Sequence, residues 1–265
     1  YHENQEDERA DEYFRKAIKC KPDHWQALEG LAMTAINRGE YGRCIEYSNR
    51  VIAGGEGDTH ISRVNRGMAY LALKRWHEGW RDYSANIGCD KNRMEIVYGD
   101  EKRWDGTKGL DVVCYGEQGI GDEISFASCL PDLIRDSKSV TIDCDRRLKG
   151  LFQRSFPIAT VHGTRYKTSG QEWRAQRKFD ARVAIGELPR FYRQKDADFH
   201  GAPYLVPRPT LYAVAQSIPF AYAAGVRAFY AEGSANWGLD GPKFWLAAQL
   251  LWDARQDPAA LLDTY

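Results

Sequence analysis

Apolar residues in the first ninety positions recur at intervals of three and four, whereas short apolar runs dominate from position 110 onward. Intervals of three and four place residues on one face of a helix, and short β-branched runs are typical of strands. On either side of Gly39–Tyr41 the spaced residues are Leu28, Leu31, Ala32 and Ala35, and then Cys44, Ile45, Ser48, Val51 and Ile52. The pattern predicts two antiparallel helices joined by a short turn at Gly39–Tyr41.

The same arrangement recurs about 35 residues later, around Lys74–Trp76. This period resembles the tetratricopeptide repeat, in which two helices recur every ~34 residues. Small residues fall where paired helices cross closely, Ala32 with Cys44 in one repeat and Gly67 with Gly79 in the next. The resemblance implies helical hairpins over about residues 1–90.

Two departures from the repeat pattern lie in its later copy. Arg63 and Arg66 occupy positions that are usually apolar, and Gly54–Gly57 lengthens the connection. The resemblance implies a surface for a protein or peptide partner, and a spacer packed on the next domain is the equal alternative. The aromatic residues Trp76, Trp80 and Tyr83 are spaced by three or four, which predicts packing contacts rather than a ligand platform.

Strands alternate with helices in the next segment. The predicted strands are Leu110–Tyr115, Ser139–Cys144, Ala159–His162 and Phe179–Ile185, and the predicted helices are Asp122–Asp136 and Arg146–Phe156. Alternation of this kind favours a parallel sheet with right-handed crossovers. The sequence therefore predicts an α + α/β fold, with helical hairpins followed by a Rossmann-like domain.

A glycine loop, with Gly116, Gly119 and Gly121, follows the first of these strands and ends at Asp122. It lacks the Lys-Ser/Thr pair of a Walker A motif, and its glycine spacing reverses the dinucleotide fingerprint. A carboxylate directly after the last glycine would repel phosphate. Two interpretations of Asp122 remain open on pattern alone: a cap that accepts backbone N–H bonds, or a reactive group.

Six strings carry a second resemblance. They are Trp104-Asp-Gly, Gly116-Glu-Gln-Gly-Ile-Gly-Asp-Glu-Ile-Ser-Phe-Ala127 and Leu130-Pro-Asp-Leu, followed by Phe179-Asp-Ala, Leu188-Pro-Arg-Phe and Gly201-Ala-Pro-Tyr-Leu. Together they look like the bacterial tetratricopeptide-repeat proteins that carry a glycosyltransferase domain similar to the N-terminal half of the heptosyltransferase GT-B fold. The resemblance covers about residues 95–207.

This resemblance implies an inverting sugar transfer from a nucleotide-sugar, which is a substrate rather than a cofactor, to a sugar or glycan acceptor. Asp122 would be the general base, and Gly116, Glu117, Gln118, Gly119 and Gly121 would bind substrate. The donor domain of that fold is expected soon after Leu205 and is not evident, so activity is expected to be impaired. The alternative function is a non-catalytic scaffold that uses the repeats.

The last segment, residues 208–265, changes character after a proline-rich seam at Pro207–Pro209. Its pattern predicts a mainly helical tail, and it resembles the end of a glycoside-hydrolase-like barrel domain of unknown function in bacterial proteins. Glu232, after a predicted strand, is a minor candidate for glycoside chemistry. The chain is interpreted as three regions, 1–94, 95–207 and 208–265, and as a fragment or a chimera.

Charge and composition exclude several classes of protein. Lys+Arg and Asp+Glu both number 37, so the chain has no global basic field for nucleic acid. No apolar run approaches a membrane span, and no signal peptide is visible, which favours a soluble, cytoplasmic protein. The six cysteines form no Cys-x-x-Cys pair, and with six scattered histidines they favour buried thiols and no metal site.

Overall fold

The computed structural model describes residues 2–55, 59–89, 93–165 and 170–206, together with residues 256, 257, 260 and 261. The chain divides into two compact units, Tyr1–Tyr204 and Leu205–Tyr265. Nearly all of the predicted tail, with the seam at 207–209 and Glu232, lies outside the described residues. The predicted hairpins and the predicted sheet both belong to the first unit.

The first part of this unit is a row of helices that pack on their neighbours in chain order. They are α1 His2–Cys20, α2 Trp25–Asn37, α3 Tyr41–Gly54, α4 Thr59–Ala72 and α5 Trp76–Tyr83. The predicted face forms their core, which contains Leu28, Leu31, Ala32, Ala35, Cys44, Tyr47, Val51 and Ala69. The helical hairpins predicted from the sequence are thus confirmed.

Helices α4 and α5 cross with very little space between them. A Cβ atom on Gly67 would lie 2.6 Å from the backbone nitrogen of Tyr83, and one on Gly79 would lie 2.6 Å from Leu71 Cδ2. Arg66, which departs from the repeat pattern, places its Nε 2.6 Å from the buried carboxylate of Asp82 on α5. An ion pair therefore joins the two helices at this position.

The second part contains a parallel sheet, as predicted. Its strands are β1 Lys102–Arg103, β2 Asp111–Tyr115, β3 Ser139–Asp143, β4 Thr160–His162 and β5 Ala181–Ala184, in the order β1-β5-β2-β3-β4. Val112 of central β2 lies between Ala181 and Val140. Residues 112–114 are fully buried, as expected for a strand covered on both faces. Strand β1 has no counterpart among the strands predicted from the sequence.

Three short helices lie between strands: α6 Ile120–Phe126, α7 Leu130–Asp136 and α8 Lys149–Ser155. A fourth, α9 Pro189–Tyr192, follows the last strand. The sequence predicted one helix over Asp122–Asp136, but a 3₁₀ turn at Ala127–Cys129 separates two. Pro131 has no N–H with which to continue the helical ladder toward Ala127, so the helix is interrupted there. Consequently α6, which follows the glycine loop, is a separate two-turn element.

Candidate functional site

The candidate site lies where the connections of the sheet change direction. From β2 the chain proceeds through β3 to β4 on one side, whereas β5 returns to the other side of β2. In open α/β sheets, ligands bind in the crevice beyond the carboxyl ends of strands at such a point. The segments that leave β2 and β5 here are Gly116–Gly119 and Ile185–Glu187.

Glu117 joins these two segments. Its Oε2 accepts the backbone N–H of Gly186 at 3.3 Å, and its Oε1 lies 3.0 Å from Nη2 of Arg93. The Nε2 of Gln118 donates to the same Oε1 at 3.0 Å. Glu117 is 0% exposed, so the chain's own donors occupy this predicted substrate-binding carboxylate.

Glu123 is a second buried carboxylate beneath the loop, and sequence reasoning did not select it. A Cβ on Gly116 would lie 2.3 Å from its Cδ, which explains why the strand is followed by glycine. Its Oε1 lies 2.6 Å from Nε of Arg165, and its Oε2 accepts the N–H of Asp145 at 3.0 Å. Burial raises the pKa of Glu123 to about 7, against the opposing effect of Arg165. The sequence signal that could have identified Glu123 is its position directly after Asp122. The structure places Glu123 on the inward side of α6.

Asp122 takes the opposite, partly exposed side of the start of α6. Its Oδ2 accepts the N–H of Gly119 at 3.1 Å, which is the capping bond that the sequence left as one alternative. Gly119 and Gly121 are exposed, and a Cβ on Gly121 would meet no atom within 4 Å. The carboxylate therefore lies beside open space, and this bond engages one of its oxygens.

The end of α5 also reaches this loop. The hydroxyl of Tyr83 donates to Oε1 of Gln118 at 3.2 Å, and the Tyr83 ring centroid lies 6.2 Å from that of Phe126 on α6. Burial raises the pKa of Tyr83, and the nearby carboxylates of Asp122 and Glu117 raise it further against Arg93 and Gln118. The prediction that Tyr83 packs holds, but its partners belong to the α/β part, which sequence periodicity did not indicate.

Two more carboxylates at this edge of the sheet are also paired. Asp143, at the end of β3, lies 2.8 Å from Nη2 of Arg174 and accepts the hydroxyl of Tyr98 at 2.9 Å. Glu187, after β5, lies 3.0 Å from Nη2 of Arg103. Asp122 forms no ion pair with any residue that the structure describes. It thus differs from the other acidic groups at this edge.

Thiols and metal ligands add nothing to this site. Cys44, Cys114, Cys129 and Cys144 are buried and Cys20 and Cys89 are exposed, all as free thiols. Burial raises the pKa of the Cys114 thiol, which lies in β2. Within the described ranges, no three His, Cys, Asp or Glu side chains group in a way that would hold a metal ion. Nor does any described helix have the length and apolar character needed to span a bilayer.

Comparison with known proteins identifies a relative. The chain is 28% identical over 195 residues to Protein FlbA of Caulobacter vibrioides, an alignment that covers 66% of this chain and 32% of FlbA. The chain thus spans about a third of that protein's length. No family model and no solved structure matches the chain.

Proposed function

We propose that the unit Tyr1–Tyr204 is the acceptor-binding half of a GT-B-type glycosyltransferase, which transfers a sugar from a nucleotide-sugar to a sugar or glycan hydroxyl. The observation that carries the proposal is the position of Asp122. It lies in the first turn of α6 beside the topological switch point, is partly exposed, and has no cationic partner among the described residues. Its neighbours Glu117 and Glu123 are buried and paired.

A general base must lie within hydrogen-bond reach of the proton that it removes. The N–H of Gly119 orients Asp122 through one oxygen. Gly119 and Gly121 carry no side chains, so an acceptor hydroxyl can approach the carboxylate closely. In this reaction Asp122 takes the hydroxyl proton while the acceptor oxygen attacks the anomeric carbon and the nucleoside diphosphate leaves.

The charge at the loop favours a neutral ligand over phosphate. Asp122 is unpaired among the described residues, and the arginines below it, Arg93 and Arg165, are engaged by Glu117 and Glu123. Among the residues that the structure describes, no free cation at the loop is therefore available to offset a diphosphate. We assign only contacts with the acceptor to this unit. The diphosphate of the donor would be bound by the other half of the GT-B-type enzyme. The reaction takes place in the cytoplasm, where nucleotide-sugars are supplied.

The test is sugar transfer by the full chain and by its Asp122→Asn variant, with a panel of nucleotide-sugars and glycan acceptors. Loss of a general base lowers the rate by about 10²- to 10⁴-fold. Asp23→Asn, an exposed aspartate between α1 and α2, is the matched control and should transfer at the wild-type rate. Equal rates for Asp122→Asn and wild type would refute the proposal.

A scaffold function is the second candidate, because apolar side chains are exposed on two helices of the repeat region. Met33 on α2 is 54% exposed, and Ile61 and Met68 on α4 are 49% and 37% exposed. An apolar peptide segment would suit these residues. Capture of one protein from a cell lysate by the wild-type chain, and its loss with Met33→Lys/Met68→Lys, is the expected result; equal capture by both chains would count against it.

A further inference from the structure

We propose that Tyr83 is a positioning residue for the Asp122 loop, so that the repeat region forms part of the candidate site. This inference rests on the proposed function, which gives the loop its role. Tyr83 is the last residue of α5, and its hydroxyl hydrogen bonds to Gln118 at 3.2 Å. Gln118 immediately precedes Gly119, whose N–H holds Asp122. Two hydrogen bonds and one peptide unit thus connect the repeat to the carboxylate.

Arg93 strengthens the same connection from below. Its guanidinium lies 4.6 Å from the centroid of the Tyr83 ring, donates to the Tyr83 carbonyl oxygen, and pairs with Glu117 at 3.0 Å. Arg93 therefore holds two consecutive loop residues. The ion pair holds Glu117 directly, and the cation–π contact with Tyr83 supports the hydrogen bond from Tyr83 to Gln118. Arg93 is 4% exposed, which protects both interactions from solvent.

Aromatic packing fixes α5 itself against the α/β part. The Trp80 and Phe126 ring centroids lie 6.3 Å apart in an edge-to-face arrangement, and Trp76 donates its indole N–H to Asp196 at 2.6 Å. Phe126 is the last residue of α6, the helix whose first turn contains Asp122. A displacement of α5 would therefore move both ends of the loop–helix element that carries the candidate base.

Tyr83→Phe removes only the hydroxyl and retains the ring for Arg93 and Phe126. Loss of one hydrogen bond of ordinary strength should raise amide hydrogen exchange over residues 116–122 by about three- to ten-fold. Gln118→Met, which cannot accept this bond and also loses the bond from Gln118 to Glu117, should give at least the same increase. If Tyr83 acts through Gln118, the double variant should show no further increase.

Thr34→Val is the matched control, because it also loses a side-chain hydrogen bond, to Asp11 at 3.0 Å, between α1 and α2. It should lower the thermal midpoint and leave exchange over residues 116–122 unchanged. If Tyr83→Phe leaves this exchange at the wild-type rate, or if its effect and that of Gln118→Met add fully, the inference is wrong.

Transfer kinetics separate this inference from the proposed function. Tyr83→Phe should raise KM for the acceptor by about three- to ten-fold and leave the pH profile of kcat unchanged, because Asp122 itself remains. A shifted pH profile would mean that Tyr83 takes part in proton transfer and would overturn a positioning role. If Asp122→Asn transfers sugar at the wild-type rate, the proposed function fails, and hydrogen exchange alone decides whether Tyr83 holds the loop.

Discussion

Glu117 and Arg93 form an ion pair of 3.0 Å, and both side chains are almost completely removed from solvent. Glu117 follows β2 directly, whereas Arg93 lies in the connection after the repeat region. Removing two charges from water is costly, and only close geometry with further hydrogen bonds offsets that cost. The N–H of Gly186 and the amide of Gln118 supply those bonds. The pair thus joins the segment after α5, the loop after β2 and the segment after β5 at one point.

Glu117→Gln should destabilise the chain strongly. The variant leaves the Arg93 guanidinium buried without a counter-charge, which typically costs about 3–5 kcal/mol. Urea unfolding followed by circular dichroism measures the change. Glu78→Gln is the control, because Glu78 pairs with Arg75 at 2.7 Å on an exposed helix face; it should leave the unfolding midpoint within error. Equal small changes for both variants would show that the buried pair contributes no more than the exposed one.

The Arg66–Asp82 pair between α4 and α5 permits a stricter comparison. Arg66→Met alone leaves the 0% exposed Asp82 carboxylate without its cation and should cost roughly 3–5 kcal/mol in unfolding free energy. Arg66→Met/Asp82→Leu removes both charges and should recover most of that loss, because apolar pairs often replace buried ion pairs without penalty.

Unfolding free energies of the single and double variants check this expectation. If the double variant is as unstable as Arg66→Met, the role of Arg66 is not only to neutralise the buried Asp82 carboxylate. The ion pair itself is then required where α4 and α5 cross.

The sequence predicted the regular elements better than the site. The spacing of neighbouring residues is enough to predict a helix face or a β-branched strand. Examples are Leu28 and Leu31 in α2 and residues 112–114 in β2. Strand β1 was missed because two residues carry no period, and its pairing with β5 comes entirely from the tertiary fold.

The charged partners of the loop were missed for a related reason. Arg93 and Arg165 lie in irregular segments, where no periodicity assigns a direction to a side chain. Asp122 and Glu123 are adjacent and chemically alike, yet α6 turns one toward solvent and the other under Gly116. A pattern of residue types identifies the acidic loop, but only the fold distinguishes its exposed carboxylate from its buried one.

Two Gly→Ala changes in the helical part should have opposite effects on stability, because Gly67 lies at the close crossing of α4 and α5 and Gly42 lies in open space on α3. Gly67→Ala would place a Cβ 2.6 Å from the backbone nitrogen of Tyr83, which cannot move independently of α5. It should destabilise by about 1–3 kcal/mol. Gly42→Ala in α3 meets no atom within 4 Å and should stabilise by roughly 0.5–1 kcal/mol, since alanine is the better helix former. Thermal midpoints of both variants test the difference; a stabilising Gly67→Ala would contradict the crossing geometry.

The raised pKa of Glu123 predicts that the free energy of unfolding depends on pH, and one substitution isolates this dependence. Its pKa is raised from 4.5 to about 7 in the folded state, because burial disfavours the charged form more than Arg165 favours it. A raised pKa means that the folded chain holds this proton more tightly than the unfolded chain does. The proton on Glu123 therefore stabilises the folded state. This stabilisation is complete below about pH 4.5 and is lost as the pH rises through about 7.

Glu123→Gln keeps the shape of the neutral carboxyl group and removes its titration. The difference in unfolding free energy between variant and wild type should therefore move in favour of the variant between pH 4.5 and about 7, by up to roughly 3 kcal/mol. Urea unfolding at half-unit pH steps measures this difference, with Glu78→Gln as a control that should show no such trend. A difference that moves in favour of wild type as the pH rises would show that the 2.6 Å contact with Arg165 outweighs burial and keeps Glu123 ionised.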